Sequence, residues 1–205
     1  MRLTYKSFAL LVLIPATAFL AKASPLVLDS SFENVVSPNY AYYVGTAGFS
    51  SPNWLFTGGS GVDPSSGTWF VAPPPNGTQA AFLQNVSGFS QLIGGFTVGD
   101  HYQVTYYAAE RPAYAANGIQ VSLGGTNLGT YTPSGNAFVL VTTGQMTATS
   151  GSMTLAFSGT LTAGDNDSAI DVVTIQDVTP SGVPEPSTMV LGALPIAALL
   201  LRRKR

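Results

Sequence analysis

Nine carboxylates, one guanidinium and one imidazole are the charge-bearing side chains between the two ends of this chain. The acids are Asp29, Glu33, Asp63, Asp100, Glu110, Asp165, Asp167, Asp171 and Asp177, the base is Arg111 and the imidazole is His101. The absence of Cys excludes disulfides, thiolate catalysis and Cys-ligated zinc or iron–sulfur centres. A single His excludes any site that needs two imidazoles. Nucleophilic catalysis would require His101 as its base, yet no Gly-x-Ser-x-Gly elbow occurs, and His101 opens an alternating run that reads as a strand with the ring toward solvent. A glycosidase needs two carboxyls about 5–10 Å apart, and the spacing of the nine acids singles out no pair. The expectation is a protein that is not an enzyme, with polysaccharide hydrolysis as a subordinate reading.

Three features remain that could hold a ligand. Asp171 shares strand parity with Val173 and Ile175, so its carboxylate points with two core side chains and needs a partner. That partner is either a cation bound through oxygen, for which Ca²⁺ is suited, or backbone amides of a turn. Arg111 offers a planar fork of donors for sugar hydroxyls or carboxylates, or pairs with Glu110 or another nearby acid and holds a loop. Tyr40, Tyr42, Tyr43, Trp54, Trp69, Phe70 and Tyr114 lie in loop-rich stretches, where rings either stack on sugar faces or pack in a core. Arg111, Trp69 and Tyr114 are therefore the expected ligand contacts, with Trp69 foremost.

The elements that must position these groups read as strands. Tyr102, Val104, Tyr106 and Ala108 alternate with polar neighbours, as do Ile119, Val121 and Leu123, and again Met153, Leu155 and Phe157. Turn signals recur at Gly58-Gly59, Asn76-Gly77, Gly94-Gly95, Asn117-Gly118, Gly124-Gly125, Ser134-Gly135, Gly144 and Gly151. The fold class expected is all-β, an antiparallel β-sandwich of jelly-roll type. Residues 24–182 set one base against nine acids, a net charge of −8. Such a surface repels phosphate backbones, so no nucleic acid is expected as a partner.

The ends read as addresses. Arg2 and Lys6 precede the apolar run Phe8 to Leu20, and Ala21-Lys22-Ala23 supplies small residues for cleavage after Ala23. At the other end Val183-Pro184-Glu185-Pro186 leads into the apolar run Met189 to Leu201 and then Arg202-Arg203-Lys204-Arg205. The basic cluster stays cytoplasmic by the positive-inside rule. An apolar run of thirteen residues interrupted by Pro195 makes a weak anchor, suited to transient membrane attachment. The organisation expected is a signal peptide over 1–23, a sandwich domain over 24–180 and a sorting segment over 181–205, with helices in both flanking segments.

The order Val-Pro-Glu-Pro, apolar run, basic cluster over residues 183–205 resembles the PEP-CTERM sorting signal of Gram-negative bacteria. That resemblance implies export through the inner membrane and handling by an exosortase, a membrane protease-like transpeptidase. It further implies delivery to the outer surface or an extracellular matrix rich in polysaccharide. In the middle, Leu28-Asp29-Ser30-Ser31-Phe32-Glu33, Tyr106-Tyr107-Ala108-Ala109-Glu110-Arg111-Pro112 and Gly164-Asp165-Asn166-Asp167-Ser168-Ala169-Ile170-Asp171-Val172-Val173 are similar to segments of galactose-binding-like jelly rolls. Many of those are carbohydrate-binding modules, and they often carry a structural Ca²⁺ joining the first and last strands. Glu33 and Asp171 stand at the matching positions, while Asp29-Ser30 replaces the usual Asn-Gly. The functional expectation is a secreted module that associates with extracellular polysaccharide. The alternative is a purely structural biofilm component.

Overall fold

The structure, a computed structural model, describes residues 23–35, 49–64 and 72–180, with the backbone of residues 41–42. Residues 1–22 of the expected signal segment, the sorting motif Val183–Pro186 with its apolar run, Trp69, Phe70, Tyr40, Tyr43 and the side chain of Tyr42 lie outside the described residues. Eleven strands follow one another, and the described residues contain no helix. They are β1 Ala41–Tyr42, β2 Leu55–Thr57, β3 Ser60–Pro64, β4 Gln79–Gln84, β5 Gly88–Gly94, β6 His101–Glu110, β7 Ile119–Leu123, β8 Thr126–Tyr131, β9 Val139–Thr147, β10 Ser152–Gly159 and β11 Asp167–Asp177. Their pairings are antiparallel and build a six-stranded sheet in the order β1-β3-β4-β11-β6-β9 against a five-stranded sheet in the order β2-β5-β10-β7-β8. This is the β-sandwich that the alternation implies.

The alternating positions do form the core: Tyr102, Val104, Tyr106, Ala108, Ile119, Val121, Leu123, Met153, Leu155 and Phe157 are all buried. Gly124 and Gly125, at φ 57° and 82°, make the two-residue hairpin between β7 and β8, a turn that needs positive φ at both positions. Gly144 is not a turn; it lies inside β9, where the pairing with β6 shifts register. An aromatic stack ties the layers together. Phe89 and Phe157 stack with centroids 5.1 Å apart, Trp54 meets Phe89 edge-on at 5.4 Å and Phe32 at 5.1 Å, and Tyr106 meets Phe157 at 5.3 Å. Burying a Phe-sized side chain contributes about 1.5–3 kcal/mol, so these rings account for much of the core. Trp54, one of the loop aromatics considered for sugar stacking, is core.

Asn117 is fully buried and braces the two sheets. Its Nδ2 donates to the carbonyls of Asn85 at 2.8 Å and Leu83 at 3.4 Å. Its Oδ1 accepts from the amides of Thr160 and Leu161, both at 3.1 Å, and its backbone carbonyl accepts from the Ser168 hydroxyl at 2.7 Å. The Asn117-Gly118 turn signal thus marks a crossing point, not a hairpin. Glycine is obligatory at position 159, where a Cβ would overlap the Asn85 carbonyl and the Asn117 amide.

One expectation about β11 is corrected. Val172 adopts φ 50°, and the pairing with β6 shifts between Asp171 and Thr174. That bulge reverses the alternation. Ile170, Val173 and Ile175 face the core, whereas Asp171 pairs with Tyr107 on the opposite face, in line with Ala169 and Asp167. Strict period-two counting carried Asp171 to the wrong side of the sheet.

Candidate functional site

Beyond the end of β6 the chain turns through residues 111–118 to β7, and the segment 160–166 runs beside it from β10 into β11. The two are joined by a parallel bridge between Ala115 and Asn166 and by amide bonds from Arg111 to Asp167 and from Asp167 to Ala115. Arg111 Nη1 donates to Asp167 Oδ2 at 2.7 Å and to Asp165 Oδ1 at 2.9 Å, and Gln84 Nε2 donates to the same Asp165 oxygen at 2.7 Å. The guanidinium carbon lies 3.9 Å from the centroid of the Tyr114 ring, a cation–π contact. Tyr114 itself remains 45% exposed. The sequence alternatives for Arg111 are thereby resolved in part. It holds a loop, its partners being Asp165 and Asp167, and it also backs an exposed ring.

The electrostatics follow from burial. The Asp167 side chain has no exposed surface, and desolvation pushes its pKa up to about 6 against the opposing hydrogen bond and charge of Arg111. Its second oxygen, Oδ1, is buried without a hydrogen-bond partner. Asp165 and Asp167 share one Arg111 nitrogen, so they are close enough to suggest the carboxyl pair of a glycosidase. A carboxyl with no exposed surface reaches no substrate, however, and this pair serves as the counter-charge of Arg111. His101 sits at the opposite end of β6, with Nδ1 3.1 Å from the Thr147 hydroxyl.

The second predicted pair, Glu33 and Asp171, closes the N-terminal segment onto the sheet. Glu33 Oε1 accepts the amides of Thr78 at 2.9 Å and Gln79 at 3.0 Å, and Oε2 accepts the Thr78 hydroxyl at 3.0 Å. Asp171 is fully buried; Oδ1 accepts the Val172 amide at 2.8 Å and Oδ2 the Asn76 amide at 3.0 Å. Gln79 returns donors to the carbonyls of Phe32 and Val35. Gly77, at φ 75°, lies so close to Glu33 that a Cβ would overlap its carboxylate. Desolvation pushes Asp171 up to about 6, the two amides opposing and Glu33 adding to the rise. Asp29 is likewise raised by desolvation, with Glu33 again contributing, and its Oδ2 is buried without a hydrogen-bond partner.

Glu33 thus contributes to the raised pKa of both Asp171 and Asp29, so its carboxylate neighbours each of them. Burial raises Asp29 and Asp171 separately, each with a smaller contribution from Glu33, and their carboxylate oxygens are the hard ligand type that Ca²⁺ takes. The amide bonds fit the alternative, in which Asp171 caps a turn. Among the described residues no group of three or more acids or imidazoles converges as a metal-ligand set. Sequence reasoning missed Gln79, Gln84 and Asn117. Uncharged amides carry no charge signature, and only the Asn-Gly dipeptide marked one of them.

No family model and no curated protein matches the chain. Two cleaved adhesin domains of Lys-gingipain, one from Porphyromonas gingivalis, match its structure at 12% and 13% identity with TM-scores of 0.51 and 0.50. Each covers 75% of this chain, and 99% and 98% of the respective adhesin domain. A xylan-binding domain from Paenibacillus barcinonensis matches at 16% identity and a TM-score of 0.49, over 79% of this chain and all of that domain. The adhesin-domain likenesses are likenesses of fold, the two-sheet β-sandwich.

The buried acids make stability depend on pH in an inverted sense. A carboxyl raised to about 6 in the fold, against about 3.9 in the unfolded chain, takes up a proton on folding between those values. Its contribution is therefore complete below about pH 4 and is lost as pH rises through about 6. Urea unfolding at several pH values should show greater stability near pH 5 than near pH 7.5. Asp171→Asn should remove its share of that slope, leaving the share of Asp167.

Proposed function

We propose that the chain is a secreted, non-catalytic β-sandwich that associates with extracellular polysaccharide through Tyr114. The observation that carries this reading is the Tyr114 ring, exposed at a loop and held from one side by a guanidinium that is itself fixed to two carboxylates. A ring of this kind presents its free face to a sugar as a rigid stacking surface. With −8 over residues 24–182, the domain repels polyanions at low salt, so a neutral polysaccharide is the preferred ligand. One stacked ring with a few hydrogen bonds corresponds to millimolar to micromolar affinity, about 4–8 kcal/mol. Tyr114→Ala should lower retention of the protein on matrix polysaccharide several-fold at an unchanged melting temperature. Unchanged retention, with or without a fall in melting temperature, would count against the reading.

The address belongs to the same proposal. Residues 1–23 direct export, the motif Val183–Pro186 with the apolar and basic segments engages an exosortase during transient membrane anchoring, and the mature protein reaches the outer surface or matrix of a Gram-negative bacterium. Support comes from the order and spacing of the three tail segments. Protein recovered from a host with the matching exosortase should lack Arg202 to Arg205 by intact mass. Retention of those residues on most molecules removes the sorting proposal.

A Ca²⁺ ion held by Glu33 and Asp171 completes the reading, supplying the positive charge that Asp29, Glu33 and Asp171 lack. Ca²⁺ at a hundredfold excess over Kd should add about 2.7 kcal/mol of stability, visible as a raised melting temperature that chelator reverses. In Asp171→Asn the response should be much reduced. Superimposable curves with Ca²⁺ and with chelator would leave the pair as an amide-binding latch alone.

A further inference from the structure

The sandwich opens where the edge strands of its two sheets, β8 and β9, meet. Between them lies a cleft of about 150 Å³, walled by Leu128, Tyr131, Val141 and Thr142, with Tyr106 reaching it from the core. Both strands are irregular at this place. The β7–β8 register jumps from Val121↔Gly129 to Ser122↔Asn127, leaving Leu128 as an extra residue. The β6–β9 register jumps from Gln103↔Gln145 to Thr105↔Thr142, leaving one extra residue at Thr143–Gly144. Two bulges facing each other bend both edges around the cleft, and bulges re-aim side chains where a sheet meets a ligand.

Tyr106 supplies the second observation. It is 1% exposed, and its ring is fixed edge-on against Phe157. Its hydroxyl has no hydrogen-bond partner among the described residues. The ring is buried while the hydroxyl is not among the sealed polar atoms, so it opens into the cleft and takes its partner from there, solvent or a ligand. Burial raises its pKa further above the ordinary range, Tyr131 adding to the effect, so it remains a donor at every physiological pH.

The chemistry of the walls narrows the ligand. Residues 112–164, which supply both edge strands, contain no charged residue, so nothing here compensates a carboxylate or a phosphate. Leu128, Val141 and the Tyr131 ring offer apolar contact, while the Tyr106, Tyr131 and Thr142 hydroxyls offer hydrogen bonds. An apolar cavity of about 150 Å³ accommodates one benzene ring. We propose that the cleft binds a single neutral six-membered sugar ring, its apolar face against Leu128 and Val141 and a ring hydroxyl accepting from Tyr106. The proposal rests on the carbohydrate reading for the class of ligand, and it places a second contact away from Tyr114.

The test titrates neutral methyl glycosides of glucose, galactose, mannose and xylose into nitrogen-labelled full chain, kept in a detergent without a sugar headgroup. At least one glycoside should shift the amides of Leu128 to Tyr131 and Val141 to Gly144. Tyr106→Phe should weaken that binding about fivefold, the loss of one hydrogen bond, with the melting temperature unchanged or raised. Tyr131→Ala should weaken it further, and Tyr114→Ala should leave the cleft shifts intact. No shift in the cleft with any glycoside, or equal binding by wild type and Tyr106→Phe, overturns the proposal. So does binding of phenol with no glycoside bound, which would make the cleft a pocket for apolar rings. Shifts confined to residues 111–114 remove the cleft while sustaining the carbohydrate reading. Cleft binding together with retention on matrix polysaccharide that ignores Tyr114→Ala removes Tyr114 as the contact and keeps the cleft.

Discussion

The arrangement of this sandwich depends on one buried amide. Asn117 reaches the end of β4, the segment after β10 and the start of β11 at once, and both ends of its side chain are bonded. A buried donor or acceptor left unmade costs about 1–3 kcal/mol, so none of these segments can shift alone without leaving several groups unpaired. The residues at stake are those of the candidate site. Arg111 and Tyr114 lie just before Asn117, and Asp165 and Asp167 lie between its partners Leu161 and Ser168. The short ion pairs of Arg111 and its contact with the Tyr114 ring are consequences of two loops being clamped at a shared point, since an ion pair with one exposed partner orders little by itself.

Charge is distributed with equal consequence. The five-stranded sheet carries no charged side chain, while Asp63, Glu110, Asp167, Asp171 and Asp177 all belong to strands of the six-stranded sheet. Asp63, Asp167 and Asp171 are buried there, and Arg111 is the sole base in the sequence between the terminal segments. Desolvation outweighs the Arg111 contacts at Asp167 and the two amide bonds at Asp171, and both carboxyls rise to about 6. At Asp167 and Asp171 a proton thus binds more strongly to the folded than to the unfolded chain. The neutral sheet has no such tendency, and the cleft at its edge can be lined by hydroxyls and apolar groups alone.

The fold was largely legible because its signal is short-range. Alternation at residues 102–108, 119–123 and 153–157 identified three strands and their buried faces, and the Gly124-Gly125 turn specified a hairpin through backbone conformation alone. Legibility failed where backbone irregularity decides. One extra residue at Val172 sends Asp171 to the other face, and nothing in the local residue types marks it, because Val is a poor candidate for positive φ. Gly144 shows the converse, a glycine serving a bulge inside a strand. For the site, the sequence offered Arg111 and Tyr114 but not their connection to Asp165 and Asp167, more than fifty residues away. The amide partners of Glu33 and Asp171, at residues 76, 78 and 79, were not legible, since those contacts join segments far apart in sequence.

The same clamping bears on how strongly such a surface can bind. An aromatic side chain that must be ordered on contact loses about 0.5–1.5 kcal/mol of the gross interaction. Tyr114 avoids most of that loss, because Arg111 already covers one face of its ring and Asp165 and Asp167 already hold Arg111. Tyr106 avoids it too, fixed against Phe157 with only its hydroxyl unspent. Rigidity of this kind raises affinity without enlarging the contact. If both proposed contacts bind sugar, they act together on a polymer of repeating units: once one is engaged, the other meets its ligand at the high local concentration set by the chain. On the proposed reading, a small sandwich with two pre-ordered tyrosines would associate durably with a repetitive polymer while each contact stays individually weak.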